Sequence, residues 1–313
     1  MIIEQSEQIM SEVKKVFIGK DGIIEKVLMT IYAGGHILLE DAPGVGKTTL
    51  ALGFSRALGL SYKRVQFTPD TMPSDITGFS IYNKATGEFE YKPGAVDCHL
   101  LLGDEINRTS PKTQAALLEV MEEGSVTVDG ITHVLPKPFI CIATQNHYGS
   151  AGTQALPDSQ LDRFMVRLSI GYPDRDSQVS ILKTRRGVGD IDHVRPMVNR
   201  DDVKEIQDYI YSIKITDEIL YYVADLCGET RKSMMVELGV SPRGVQALAQ
   251  LSRARAILRE RDFVIPEDVQ AVFLDVCAHR LVMKPQAKIE GVTAESVLLD
   301  ILKRVKAPSL GRK

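Results

Sequence analysis

The stretch HILLEDAPGVGKTT, residues 36–49, decides how the rest of this 313-residue sequence is interpreted. Its first half is an apolar run typical of a strand, and its second half is a turn containing glycine and proline that leads into an apolar helical pattern. In such a turn the backbone N–H groups converge on phosphate oxygens, and the start of the following helix adds a favourable dipole. Lys47 would reach the β- and γ-phosphates, and the Thr48 hydroxyl would ligate Mg²⁺. The stretch therefore predicts a nucleotide phosphate site.

The rest of the turn completes this prediction. We expect Gly44, Val45 and Gly46 to contact the phosphates through their backbone, and Thr49 at the start of the helix to meet them as well. The pattern G-x-x-x-x-G-K-[ST] is incomplete, because Asp41 occupies its first glycine position. Aspartate tolerates left-handed backbone conformations better than most residues, so the turn remains feasible. The rival dinucleotide fingerprint G-x-G-x-x-G fails, because Thr49 stands at its last glycine position.

A second apolar strand ends in two acids, at LLLGDE, residues 100–105. Ligands of open parallel sheets gather at the carboxyl ends of the strands. We therefore expect Asp104 to hold Mg²⁺ through a water molecule, and Glu105 to polarise the water that attacks the γ-phosphate. Adjacent side chains of a strand point to opposite faces, so the two acids need not compete for one role.

Two further polar features lie where the same chemistry needs them. The run FICIATQN, residues 139–146, reads as a buried strand that ends at Asn146, whose amide would orient the water and sense the γ-phosphate. Arg163 stands beside the start of the last apolar run. Such an arginine stabilises transition-state charge, typically by about 10³–10⁵ in rate. Taken alone, the pair Asp162-Arg163 is more often a surface ion pair, but its position in this set favours the catalytic interpretation.

Short apolar runs alternate with helical patterns over the first half of the chain. The runs lie at 36–40, 63–68, 100–105, 139–144 and 164–170, and helical patterns lie at 48–58 and 111–123. Such runs suit strands buried on both faces of a parallel sheet. After residue 173 the pattern becomes helical, and Ser241 followed by Pro242 reads as a helix start. The sequence predicts an α/β domain at 1–196, with a parallel five-stranded sheet between helices, and an all-α domain at 197–313.

The composition disfavours several other classes of protein. Hydrophobic residues make up 44% and charged residues 25%, values near the globular average. The net charge of −3 and the absence of tryptophan weigh against broad nucleic-acid binding. The cysteines lack the CxxC spacing of zinc and redox sites. No run approaches about 18 apolar residues and the first residues do not resemble a signal peptide, so we expect a cytoplasmic chain without a membrane span.

Together these motifs resemble the MoxR family of AAA+ ATPases, over nearly the whole chain. The segment LLEDAPGVGKTTLA is similar to the family's Walker A region, including its acidic residue where other phosphate loops have glycine. The segment LLLGDEINRTSPKTQAALLEVMEE is similar to its Walker B strand and following helix. ATQN and LPDSQLDRF resemble its sensor 1 and arginine-finger segments, and GVSPRGVQALAQLSRARA resembles the sensor 2 helix of its lid.

The resemblance implies further site residues and partners. It puts Arg243 of the lid on the nucleotide and gives Ile18 and Gly19, within FIGK, a contact with adenine. It implies a ring, usually hexameric, with ATP or ADP at the subunit boundaries, where Arg163 would act on the neighbour's ATP. The family uses ATP with Mg²⁺ and is associated with chaperone-like maturation of enzyme complexes, its client proteins, often beside partners that bear von Willebrand A domains.

Two insertions are predicted to form β-hairpins. Residues 75–94 and 124–139 carry turn signals at Ala85-Thr86-Gly87 and Asp129-Gly130. The family resemblance implies that both project into the pore of a ring, where they would push or pull a client. The alternative is that they are plain structural hairpins.

Two other segments are less informative. The loop at 147–160 departs from the family pattern at His147 and Tyr148, and we expect no catalytic role for His147. The basic C-terminal stretch 303–313 reads as a solvated tail, with an acidic partner surface or nucleic acid as the alternative.

Three functions stay open at this point. The first is a Mg²⁺-dependent ATPase that remodels or matures partner proteins. The second is a nucleic-acid motor or loader on the same core, and the third is an ATP-gated interaction scaffold with little turnover. A GTPase is disfavoured, because the segment Asn83-Lys84-Ala85-Thr86 lacks the acid of the guanine-reading motif N-K-x-D.

Overall fold

The computed structural model describes residues 2–146, 156–183 and 188–309. Its strands are β1 (Ile37–Glu40), β2 (Tyr62–Gln66), β3 (Gly78–Asn83), β4 (Glu88–Pro93), β5 (Leu100–Asp104), β6 (Ser125–Val128), β7 (Ile131–Val134), β8 (Ile140–Gln145), β9 (Val166–Leu168), β10 (Val236–Leu238) and β11 (Val282–Met283). Its helices are α1 (Ile2–Lys14), α2 (Asp21–Tyr32), α3 (Lys47–Ala57), α4 (Pro73–Thr77), α5 (Pro111–Glu123), α6 (Asp158–Leu161), α7 (Arg175–Lys183), α8 (Arg200–Ile210), α9 (Asp217–Lys232), α10 (Pro242–Ile257), α11 (Pro266–Cys277), α12 (Pro285–Ile289) and α13 (Ala294–Arg304). Within these ranges, no helix combines the length and the apolar character needed to cross a bilayer.

Some predicted features lie outside the described residues. These are His147 and Tyr148 of the loop, and Arg312 and Lys313 at the end of the basic tail. The part of the tail that is described begins as the last turn of α13.

The five predicted apolar runs form one parallel sheet, which confirms the predicted architecture. Its strand order is β2-β5-β8-β1-β9. The register pairs Gln66 with Asp104 and Glu40 with Gln145, so the carboxyl ends of four strands meet at one edge. The polar residues that follow β1, β5 and β8 therefore converge at this edge.

Both faces of the sheet are covered, which explains why its strands read as continuous apolar runs. Along β1, Ile37, Leu38 and Leu39 are all fully buried. Ile37 and Leu39 join one hydrophobic cluster, whereas Leu38 joins a second cluster on the opposite face. Each such leucine or isoleucine contributes about 1.5–3 kcal/mol through burial. Alternation is lost because both side-chain directions lead into a core.

The chain from α8 onward is mainly helical. Ser241 accepts a hydrogen bond from the Gly244 N–H at 3.1 Å, and Pro242 is the first residue of α10, so the predicted helix start is confirmed. The prediction of an all-α domain missed one element, because β10 and β11 pair as an antiparallel ribbon. These strands are too short to show alternation in the sequence. The predicted boundary at 196 and 197 falls in the connection before α8 and stays a prediction.

The two predicted hairpins are confirmed. Strands β3 and β4 pair antiparallel, as do β6 and β7. Asp129 and Gly130 both have positive φ, of 50° and 79°, as the two central residues of a tight hairpin turn require. The hairpins contact each other through Tyr91 and His133, whose rings stack with centroids 3.8 Å apart.

Candidate nucleotide-binding site

The phosphate loop, which we define as residues 41–46, connects β1 to α3. Gly46 is the N-cap of α3 and has a φ of 95°, in the left-handed region that favours glycine. Because glycine has no side chain, Gly46 cannot cap the first turn of the helix. The backbone N–H groups of that turn have no intrahelical acceptor, and the helix dipole makes this end positive. The loop therefore presents a set of donors suited to an anion.

Lys47, the first residue of α3, directs its ammonium back over the loop. Its Nζ donates to the carbonyl oxygen of Asp41 at 2.7 Å and reaches that of Gln145 at 3.5 Å. Burial lowers the pKa of Lys47, while the nearby carboxylates of Asp41, Asp104 and Glu105 oppose this effect. The ammonium lies between the loop and the ends of β5 and β8, where the sequence predicts the γ-phosphate.

Asp104 is buried at the end of β5. Its Oδ2 accepts from Arg64 Nε at 2.7 Å, and its Oδ1 accepts from Thr144 Oγ1 at 3.4 Å. A carboxylate and the hydroxyl of Thr48 are oxygen ligands of the kind Mg²⁺ prefers, with water and phosphate completing its shell. In the described part of the chain, no group of three or more His, Cys, Asp or Glu side chains is placed to hold a metal ion. The oxygen donors of Thr48 and Asp104 fit a Mg²⁺ whose other ligands are phosphate oxygens and water.

Glu105 leaves the strand through a sharp change of backbone direction. Its φ of 57° lies in the left-handed region, at a cost of about 1–2 kcal/mol for a residue with a Cβ. Its N–H donates to Thr144 Oγ1 at 2.9 Å, which offsets part of that cost. Its Oε2 accepts from Arg108 Nη1 at 2.6 Å and from Gln66 Nε2 at 3.1 Å. Thr144, Gln66 and Arg108 were not predicted as site residues. The contacts of Thr144 and Gln66 with Glu105 depend on the pairing of β2, β5 and β8, whereas Arg108 reaches Glu105 from three residues along the chain.

Asn146 directly follows β8 and is half-buried. Its carbonyl oxygen accepts from Asn107 Nδ2 at 3.2 Å. Gln145 precedes Asn146 in the chain, and Asn107 contacts it. Gln145 Nε2 and Asn107 Oδ1 are both buried and have no hydrogen-bond partner within the described residues. Buried polar groups are nearly always hydrogen-bonded, so these two atoms fit a site that water or a ligand completes.

A cavity of about 380 Å³ opens beside the loop. Six of the predicted site residues line it, namely Ile18, Gly44, Val45, Gly46, Thr48 and Thr49. Apolar side chains including Phe17 and Leu52 form much of the remaining wall, as a pocket for a nucleobase requires. Gly19 is absent from the described lining. Its φ is 80°, and a Cβ at this position would lie 1.9 Å from Ser177 Oγ, so it allows close packing of α7.

Arg163 and Arg243 lie together at a different place. Arg163 Nη2 is 3.1 Å from Glu122 Oε2, and Arg243 Nη2 donates to Glu122 Oε1. Both arginines line a second cavity, of about 550 Å³, which shares none of its described lining residues with the first. No described contact joins either arginine to the phosphate loop. Within one chain, the structure brings the two arginines to each other and not to the predicted phosphates.

Asp162 connects the segments that carry these arginines. Its carboxylate accepts from Ser241 Oγ, at 2.8 and 3.0 Å to its two oxygens, and Ser241 caps the helix that bears Arg243. It also accepts from Arg280 Nε at 2.8 Å. The side chain of Arg280 is 2% exposed and donates further to the carbonyl oxygens of Asp162 and Phe164. This buried network was not predicted.

His36 fixes the end of α5 beside the second cavity. Its Nδ1 accepts from the Cys141 N–H at 3.0 Å, and its Nε2 donates to the Met121 carbonyl oxygen at 3.0 Å. Burial lowers the pKa of His36 to about 4, so the ring is neutral near pH 7. The residue after Met121 is Glu122, whose position therefore depends on this histidine.

Comparisons with known proteins identify the family of this chain. Residues 36–166 match the model of the ATPase family associated with various cellular activities, and residues 228–301 match an AAA lid domain. The chain is 45% identical to YeaC of Bacillus subtilis over 95% of this chain and 92% of that protein. It is 36% identical to Chaperone MoxR1 of Mycobacterium tuberculosis over 97% of this chain and 82% of that protein. A crystal structure of a proposed ATPase from Cytophaga hutchinsonii superposes with a TM-score of 0.89 and 33% identity, over 98% and 96% of the two chains. The chain belongs to the MoxR family of AAA+ ATPases.

Proposed function

We propose that this protein is a Mg²⁺-dependent ATPase that remodels or matures other proteins. The observation that carries the proposal is the convergence of Lys47, Asp104 and Glu105 at one edge of the sheet, beside the cavity of about 380 Å³. The similarity to a relative named Chaperone MoxR1 supports the chaperone-like part of the proposal.

The site residues divide the binding of ATP among them. The ammonium of Lys47 leaves the carbonyl oxygen of Asp41 and donates to the β- and γ-phosphates, while Gly44, Val45, Gly46 and Thr49 contact the phosphates. The apolar part of the cavity, including Ile18, takes the adenine, and Gly19 keeps that wall packed against α7. Thr48 and Asp104 would hold Mg²⁺, which when bound neutralises charge on the phosphate oxygens.

Hydrolysis requires a base for the attacking water. Glu105 accepts a proton from that water while the water oxygen forms a bond to the γ-phosphorus. The bond between the γ-phosphorus and the bridging oxygen breaks, and this oxygen leaves with ADP. The bonds from Gln66 and Arg108 hold the carboxylate of Glu105 in place before reaction. Asn146 orients the water and senses the γ-phosphate. The products are ADP and phosphate.

The placement of the arginines supports a ring. Arg163 and Arg243 share Glu122 and line a cavity separate from the chain's own phosphate loop. We propose that both act on the ATP of a neighbouring subunit, where they stabilise the charge of the transition state. A closed ring, with a hexamer as the expected size, supplies every subunit with such a neighbour.

The proposed clients are proteins. Phe79, Tyr82 and Phe89 expose large parts of their side chains on the β3–β4 hairpin, a composition suited to contact with a polypeptide. We propose that the hairpins contact the client in the ring, that a partner with a von Willebrand A domain acts beside it, and that this takes place in the cytoplasm.

Two substitutions test the ATPase. Glu105→Gln should lower kcat by about 10²–10⁴, the usual contribution of a general base, and leave the Kd for ATP nearly unchanged. Lys47→Ala should remove ATP binding. Hydrolysis is measured by phosphate release and binding by calorimetry, with Glu119→Gln, an exposed acid on α5, as the matched control. A normal rate for Glu105→Gln would show that another group is the base, and a wild-type chain that binds no ATP would overturn the proposal.

A further inference from the structure

The carboxylate of Asp41 makes three hydrogen bonds to a segment far along the chain. Its Oδ1 accepts from Ser169 Oγ at 2.9 Å and from the Gly171 N–H at 3.0 Å. Its Oδ2 accepts from the Ile170 N–H at 2.5 Å. Asp41 is the residue that stands where the usual phosphate-loop pattern has its first glycine. A glycine there could make none of these three bonds.

The segment that Asp41 holds forms a wall of the nucleotide cavity. Ile170 and Gly171 line the cavity of about 380 Å³, and Tyr172 and Pro173 continue the same wall. Two successive backbone N–H groups of this wall have the Asp41 carboxylate as their acceptor. Hydrogen bonds to a charged acceptor are stronger than those to a neutral one, so the position of the wall depends on this side chain.

The backbone of Asp41 contacts the phosphate end of the same site. Its carbonyl oxygen accepts from Lys47 Nζ at 2.7 Å, and its N–H donates to the Gln145 carbonyl oxygen at 3.4 Å. One residue therefore contacts the lysine that would bind phosphate, the strand that leads to Asn146, and the wall of the base pocket. Its side chain binds the segment that forms a wall of the base pocket, and its backbone carbonyl oxygen binds the lysine of the phosphate loop.

The strand before this wall is held independently of Asp41. Strand β9 pairs with β1 through Ile37 and Val166, and Arg167 Nη1 is 3.2 Å from Glu40 Oε2. Loss of the Asp41 carboxylate would leave these contacts in place. Its effect is confined to the segment that follows β9.

We propose that Asp41 is a positioning residue that fixes the Ile170–Pro173 wall against the phosphate loop and thereby sets the affinity for the nucleoside part of ATP. The inference rests on the nucleotide site proposed above. It predicts that restoring the glycine of the usual pattern weakens the site, although the substitution makes the loop match that pattern better.

The test compares ATP with inorganic tripolyphosphate, each with Mg²⁺, by calorimetry. Tripolyphosphate carries the phosphates without the nucleoside, so it reports on the loop alone. Asp41→Gly should weaken ATP binding about tenfold, as expected for the loss of a hydrogen bond to a charged group, and change tripolyphosphate binding by less than about threefold. Asp41→Asn keeps the backbone restriction of a side chain and one acceptor oxygen, so it should show an intermediate loss.

Ser169→Ala is the matched variant outside the loop. It removes one of the three bonds from an exposed side chain and should weaken ATP binding a few-fold, again without affecting tripolyphosphate. It decides the question if Asp41→Gly does not fold. Equal losses for both ligands, or no loss for either, would overturn the role of Asp41. A wild-type chain that binds neither ligand would instead overturn the nucleotide site itself.

Discussion

The cavity beside the phosphate loop and the cavity beside Glu122 lie in one chain but are assembled differently. Much of the first comes from a short continuous stretch, the loop and the start of α3, with the segment around Phe17 packed over it. The second collects Glu122, Arg163 and Arg243 from α5, the segment before β9, and α10. A local sequence motif encodes the phosphate-loop part of the first cavity, whereas segments distant in the sequence form its Ile170–Pro173 wall and the whole of the second cavity.

The two cavities also differ in the chemical groups that they present. The first presents backbone donors, an ammonium and oxygen ligands, which together suit a nucleotide with its cation. The second is lined by four arginines, Arg163, Arg243, Arg253 and Arg280, and by two carboxylates, Glu122 and Asp162, and so retains positive charge. In our proposal the first is the nucleotide site of its own subunit, and the second is a contribution to a neighbour's site.

The largest expected effect tests this division. Arg163→Ala should lower the ATPase rate by about 10³-fold or more, the usual contribution of an arginine in this role, and leave ATP binding by the same chain intact. In mixtures with Lys47→Ala chains, which should bind no ATP but keep Arg163, the variant should regain activity, because the Lys47→Ala neighbour supplies the arginine to the variant's intact site. The measurement is the ATPase rate of these mixtures, with Arg200→Ala, an exposed arginine on α8, as the control that should keep the wild-type rate by itself. Mixtures no more active than the two variants alone would argue against action on a neighbour.

The second effect is a loss of stability at low pH. It should come from histidines beside the second cavity, which Arg163 and Arg243 line. His36 has its pKa lowered to about 4 by burial, from 6.5 in the unfolded chain. Its stabilising contribution is therefore complete above pH 6.5 and is lost as the pH falls towards 4, by about 3 kcal/mol in total. Burial also holds the pKa of His279, beside Arg280, well below its ordinary value. None of the described residues that line the first cavity is a histidine.

Urea unfolding at a series of pH values between 7 and 4 measures this loss. The control is His36→Asn, which keeps an acceptor for the Cys141 N–H and cannot be protonated, so its free energy of unfolding should fall less steeply with decreasing pH. An identical slope for the variant and the wild type would assign the acid sensitivity to other groups.

The smallest effect tests what holds the arginines in position. Glu122 is 37% exposed, and exposed ion pairs contribute little, so Glu122→Gln should change the free energy of unfolding by less than about 1 kcal/mol. The reason is that Asp162 and Arg280, rather than Glu122, fix the two segments. Chemical unfolding measures the change. A loss of several kcal/mol would mean that Glu122 is the main connection between them.

The elements around the phosphate loop were predictable from the sequence to a large extent. The strand, turn and helix of residues 36–58 carry their own signals, and the acids at 104 and 105 follow directly from a buried strand. The five-stranded parallel sheet followed from runs whose lack of alternation reflects burial on both faces.

What the sequence did not predict depends on contacts between distant segments. Arg163 and Arg243 were identified one at a time, but nothing near either residue in the sequence indicates that both would pair with Glu122. Asp41 read as a tolerated departure from a pattern, because its partners lie at residues 169–171. The ribbon of β10 and β11 was missed because two- and three-residue strands have no measurable period.

The network around Asp162 has a consequence for entropy. Because Ser241 and Arg280 both bind its carboxylate, the backbone segments that carry Arg163 and Arg243 lose their relative freedom when the chain folds. An anion that binds between the two guanidinium groups then has to order only the ends of two side chains. The conformational entropy needed to gather the charges is lost during folding, so little of it is subtracted from the free energy of binding.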